Sequence, residues 1–163
     1  ADLAAQIDRV LAVRPHVAVI MIGANDVTHS VRPQRSARLL ADAVRRLREA
    51  GTEVVVGTCP DLGSVQPLGS LLRRYARRTS RELAAAQAIV VREEGGRAVP
   101  LGHLLSERFD QAPEIYFSAD RFHPSALGYQ ACAEALLPEV LRAVGLLGDE
   151  DPEQPALPAA PTA

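Results

Sequence analysis

Val17-Ala18-Val19-Ile20-Met21-Ile22-Gly23-Ala24-Asn25-Asp26 is the stretch from which the fold can be read. Its first six residues are apolar, rich in β-branched types and too few for a helix. That composition predicts a strand buried on both faces, as in a parallel sheet between helical layers. Gly23 ends the run at a point where the backbone can approach a ligand closely. Asn25 follows at the strand tip, where a side-chain amide can be aimed at a developing oxyanion. Asn-Asp after a strand is also ordinary turn chemistry, and Asp26 reads as a brace for the loop.

On the N-terminal side, Leu3, Ile7, Val10 and Leu11 have the spacing of one helix face, closed by Arg14-Pro15. On the C-terminal side a helix is expected over 33–50, with Leu39, Leu40, Val44 and Leu47 inward and Gly51 as the stop. Residues 53–58 read as a second buried strand and 59–64 as a loop. A long helix, with a possible break, is expected over 68–93 and a short third strand over 97–100. Residues 101–118 read as an irregular connection with one helical turn at most. The last helix is expected over 125–144, with Ala126, Tyr129, Ala133, Leu136 and Leu137 facing the core and Pro138 as a point of interruption. Alternating strands and helices imply a parallel sheet between helix layers. Ligands bind such sheets beyond the carboxyl ends of the strands.

A second informative segment, Asp120-Arg121-Phe122-His123-Pro124, precedes the last helix. A carboxylate three residues before a His can orient that imidazole as a general base. The same His could merely precede a helix led by Pro124, a favourable place for proline, and Asp120 could merely form the turn. Both segments fall where the chain leaves or approaches one edge of the sheet.

Together, Gly23-Ala24-Asn25-Asp26 after a strand and Asp120-Arg121-Phe122-His123 before the terminal helix resemble the third and fifth sequence blocks of the SGNH hydrolases, the GDSL-type lipases and acylhydrolases. The resemblance runs from about residue 1 to 144. It implies a three-layer α/β/α, flavodoxin-like fold with strand order 2-1-3-4-5. It also implies a serine esterase in which His123 is the base, Asp120 its orienting partner and Asn25 an oxyanion donor, with Gly23 and Asp26 supporting the site. The substrate would be a small-molecule or lipid ester, and no metal or organic cofactor would be needed. In that family the nucleophilic Ser lies in a Gly-Asp-Ser turn after the first strand, and a second-block Gly follows. Neither has a match here. Ser64, in Asp61-Leu62-Gly63-Ser64, lies in a Gly-containing turn but does not follow its strand as a nucleophile elbow requires. Ser118 and Ser125 read as turn and cap residues. The expectation is therefore that residues 1–147 are the C-terminal part of an esterase domain whose N-terminal strands lie outside this chain, and that 148–163 form a disordered Pro/Ala-rich tail.

The 163 residues are enough for one domain. A net charge of −2 gives no field for nucleic acid or an anionic membrane, and no apolar run approaches the roughly 18 residues of a membrane span. All 18 basic residues are Arg, which reads as the coding bias of high-GC bacteria rather than as chemistry. Cys59 and Cys132 are expected as buried free thiols, and no Cys/His spacing suggests zinc. His29, His16 and His103 read as loop or structural residues. Arg73, Arg74, Arg77, Arg78 and Arg81 read as a solvated helix face.

Two readings compete with the esterase. One is a non-catalytic α/β binding module that lost its nucleophile. The other is a metal-dependent phosphoesterase with Asp120 and His123 as ligands, for which the further His and Asp clusters of a two-metal site are absent.

Overall fold

The computed structural model describes residues 3–66 and 68–148. The valines of the second strand set the layering. In β2 (Glu53–Gly57), Val54 and Val56 point to one side of the sheet and Val55 to the other, all fully buried. On the first side they meet Ile7 of α1 (Leu3–Val13), Leu40, Val44 and Leu47 of α3 (Pro33–Glu49), and Val91 of α4 (Ser70–Glu93). On the second side Val55 joins Leu101, Leu105 and Phe109 of α5 (Leu101–Gln111) and Ala131, Cys132 and Leu136 of α7 (Ala126–Ala143). The result is an α/β fold of three layers with a parallel sheet.

β1 (Val17–Met21) pairs in parallel with β2, from Val17 opposite Glu53 to Met21 opposite Gly57. β3 (Arg97–Val99) pairs in parallel with the other edge of β2. The order β1-β2-β3 is that of the third, fourth and fifth strands of the expected sheet. β1 departs from its expected burial on both faces. Ala18 and Ile20 pack on the α1/α3 side, but Val19 and Met21 are 50% and 46% exposed. The opposite helical layer lies mainly over β2 and β3 and covers β1 only in part.

Five other expectations need correction, the first being Leu39 of α3, expected inward but exposed. Residues 101–116 are helical, as α5 and the short α6 (Pro113–Tyr116), so His103 lies on a helix and not in a loop. Leu101, Leu105 and Phe109 are spaced as one helix face and are all buried, while Pro100 and Gly102 disguise the pattern. α4 runs unbroken over its 24 residues. α7 continues through Pro138. The buried face of α7 is Gly128, Ala131, Cys132 and Leu136, whereas Ala126, Tyr129, Ala133 and Leu137 are exposed, a phase error of about one residue. The expected tail lies outside the described residues, apart from Gly148. Among the described residues no helix is long and apolar enough to cross a membrane.

Candidate active site

Asn25 is carried on α2 (Ala24–Thr28), one helical turn where the sequence predicted a simple turn. The chain enters it through Gly23 at φ 128°, ψ −30°. A Cβ at Gly23 would lie 2.6 Å from Cys59 Cβ, so glycine is required both by the backbone angle and by the approach of the chain leaving β2. Asp26 accepts a hydrogen bond from Ser36 Oγ on α3, and its carbonyl accepts from Val31 N at 2.8 Å. It therefore braces the α2–α3 connection. His29 Nδ1 hydrogen-bonds the Asn25 carbonyl at 2.8 Å and closes the turn locally.

The second segment is a tight loop. Ser118 N donates to His123 O at 2.8 Å, and Phe117 and Pro124 form an antiparallel bridge. Arg121 turns the chain at φ 57°, in the left-handed region. Within this loop His123 Nδ1 is 2.6 Å from Asp120 Oδ2. The other carboxylate oxygen, Oδ1, accepts from Ser118 Oγ at 2.6 Å, Phe122 N at 2.9 Å and His123 N at 3.0 Å. The His123 hydrogen bond, then those from Ser118 and the two backbone amides, hold the Asp120 carboxyl well below the usual carboxylate range. A carboxylate only accepts, so Nδ1 must carry the ring hydrogen and Nε2 is left as the proton acceptor. The Phe122 ring stands edge-on to the imidazole, with centroids 5.0 Å apart.

The loop is locked to the last helix. Ser125 caps α7 by accepting from Gly128 N at 3.1 Å. Gly128 packs so closely that a Cβ there would meet the Tyr116 carbonyl at 2.2 Å. Any larger residue would push α7 off the segment that holds His123.

Gly23, Asn25, Asp26 and His123 line one cavity of about 650 Å³ at the carboxyl edge of the sheet, together with Ser64 and His29. Asp120 lies behind His123, outside that lining. Ser64 is buried, and among the described residues its hydroxyl has no hydrogen-bond partner. Ser118 and Ser125 are spent on the Asp120 loop and the α7 cap. Cys59 and Cys132 are free and buried. Burial, reinforced by the charges of Asp26 and Asp61, pushes the Cys59 thiol up to about 12, which leaves it protonated and inert. Among the described residues no group of three or more His, Cys, Asp or Glu side chains could hold a metal ion.

The arginines of α4 depart from a uniformly solvated face. Arg77 and Arg81 reach Asp61, whose side chain is 1% exposed, at 3.0 and 3.3 Å. Leu62 N donates to Ser80 Oγ at 3.3 Å. These contacts rail the loop after β2 to α4, a role the sequence pattern gave no sign of.

The chain matches the GDSL-like lipase/acylhydrolase family over residues 1–131. It is 50% identical over 133 residues to a GDSL-like esterase of Mycobacterium tuberculosis; the match covers 80% of this chain and 42% of that relative's length. The fold is similar to that of a Parabacteroides merdae protein described as a GDSL-like lipase, with a TM-score of 0.68 and 21% identity over 90% of this chain and 70% of that one. It is also similar to an acetylxylan esterase of Geobacillus stearothermophilus, with a TM-score of 0.65 and 21% identity over 90% of this chain and 67% of that one.

Proposed function

This chain belongs to the GDSL-like lipase/acylhydrolase family, and on that premise we propose that it is part of a serine esterase that hydrolyses carboxylic esters. In this reading the nucleophilic Ser lies upstream of Ala1. Asn25 is the oxyanion donor, His123 the general base and Asp120 the carboxylate that orients it. Gly23 and Asp26 hold the Asn25 turn. The observation that carries the reading is the 2.6 Å hydrogen bond between Asp120 and a His123 that lines the same cavity as Asn25.

In this reading the cycle begins at His123. With its neutral ring donating from Nδ1 to Asp120, Nε2 takes the hydroxyl proton as the Ser oxygen attacks the ester carbonyl carbon. The carbonyl π electrons move to oxygen, and the resulting oxyanion accepts a hydrogen bond from the Asn25 amide. Collapse of this adduct breaks the ester C–O bond, and His123 returns the proton to the departing alkoxide, which leaves as the alcohol. Water then repeats the sequence on the acyl-enzyme, releasing the acid and restoring Ser. Asp120 stays ionised throughout and stabilises the imidazolium.

Labelling the full-length protein with a fluorophosphonate and mapping the adduct tests the assignment. The expected adduct is on one serine upstream of this chain, with labelling abolished by His123→Ala. An adduct on Ser64 would move the nucleophile into the loop after β2. Absence of any serine adduct would favour a binding module over an enzyme.

A further inference from the structure

Gln87 lies on α4 along a stripe, Ala76, Ser80, Leu83, Gln87 and Val91, that is buried throughout. It is wholly inaccessible to solvent. An amide in such a place is tolerated only when its polar atoms are hydrogen-bonded. Its partners are two backbone groups that follow different strands. Oε1 accepts from Cys59 N at 2.7 Å, and Nε2 lies 3.5 Å from the Ile22 carbonyl. Because a backbone N–H can only donate, the orientation of the amide is fixed by chemistry.

Those two groups stand just past the end of the β1–β2 ladder, which stops at Met21 opposite Gly57. Ile22 immediately precedes Gly23, and Cys59 is the residue against which Gly23 packs. Beyond the last rung the two chains diverge, one into α2 with Asn25 and the other toward the α4-braced loop. The Gln87 amide, chemically a peptide group on a side chain, takes the place of one more rung. Asn25 is three residues from the tethered Ile22 carbonyl, with only Gly23 and Ala24 between.

We propose that Gln87 is a positioning residue for the Asn25 oxyanion donor, tying the β1 and β2 ends together so that the α2 turn presents its amide at a fixed place. This rests on the esterase reading given above. Gln87 itself lies outside the residues that line the cavity and touches no reacting atom. Its contribution reaches the reaction only through Asn25.

The test measures p-nitrophenyl ester hydrolysis by the full-length protein carrying Gln87→Met, Asn25→Ala, or both. Gln87→Met keeps the side-chain length and removes both hydrogen bonds. A misplacement of about 1 Å costs up to roughly 10²-fold in rate, so kcat should fall about 10- to 10²-fold with KM little changed. In the Asn25→Ala background the same substitution should change kcat by less than about threefold, because the group it positions is gone. Amide hydrogen exchange at Cys59 should accelerate in Gln87→Met. If that variant fails to fold, Gln87→Glu, which keeps the acceptor for Cys59 N and loses the donor to Ile22, serves in its place with the same expected dependence on Asn25. Wild-type kcat in Gln87→Met beside an impaired Asn25→Ala would overturn this inference alone. So would losses that simply multiply in the double variant, the signature of a merely structural role. Absence of hydrolysis by the wild-type protein overturns the esterase reading and this inference together.

Discussion

Asp120 binds His123 with both of its oxygens: Oδ2 meets the ring nitrogen Nδ1 at 2.6 Å, and Oδ1 accepts the backbone N–H of the same residue at 3.0 Å. One carboxylate therefore fixes the position of the His123 backbone and the tautomer of its ring. Replacing Asp120 by Asn keeps the size but offers an NH₂ where an acceptor is needed. The full-length Asp120→Asn protein should lose on the order of 10²- to 10⁴-fold in kcat, measured with p-nitrophenyl acetate. A loss under threefold would count against an orienting role.

Asn25→Ala should lower kcat by about 10²- to 10³-fold and leave KM nearly unchanged. The charge its amide meets would exist only in the transition state. A change confined to KM would make Asn25 a substrate-binding residue instead.

The depressed ionisation of Asp120 has a pH signature. Its folded-state value lies below the unfolded one, which is about 3.9, so the folded chain holds fewer protons in the interval between them. The stabilisation is fully present above about 3.9 and is lost as pH falls through the lower folded value. In an NMR titration, the side-chain carboxyl carbon of Asp120 should keep its ionised shift at pH 4 and move only on further acidification. A midpoint at or above pH 4 for that carbon would contradict the bonding around Asp120.

Gly23→Ala should destabilise the fold by about 2 kcal/mol or more in urea unfolding, because it combines a disfavoured backbone angle with a Cβ driven into Cys59. A neutral outcome would mean that the chain after β2 shifts freely.

Among the described residues β1 is hydrogen-bonded only to β2, and it exposes Val19 and Met21. An open, β-branched edge favours pairing with another chain. The 163-residue chain by itself should therefore associate with rising concentration in sedimentation velocity, and Val19→Lys should reduce that association. Strict monomers at high concentration would argue that the edge is protected.

The fold was legible where burial is simple. The valine run 54–56 looks like what it is, and so do Leu40, Val44 and Leu47 of α3, because each is decided by one hydrophobic surface. Reading failed where punctuation and packing disagree. Pro100 and Gly102 resemble loop residues, yet Leu101, Leu105 and Phe109 supply enough buried surface to hold a helix. In α7 the closest packing occurs at Gly128, a residue with no side chain to announce an inward face. Of the candidate site, the Asp120–His123 contact could be anticipated because its two groups lie three residues apart. Asp61 with Arg77 and Arg81, and Gln87 with Cys59, could not, since nothing within one segment records a partner 16 to 28 residues away.

The loop from Phe117 to Pro124 closes on itself through backbone bonds made within eight residues. Forming it costs little chain entropy. Asp120 and His123 thus form a prefabricated part, whose internal geometry is written into one short sequence. What the rest of the fold must supply is only the docking of that part beside the cavity that Asn25 also lines. Damage to the sheet should accordingly separate His123 from Asn25 long before it separates His123 from Asp120.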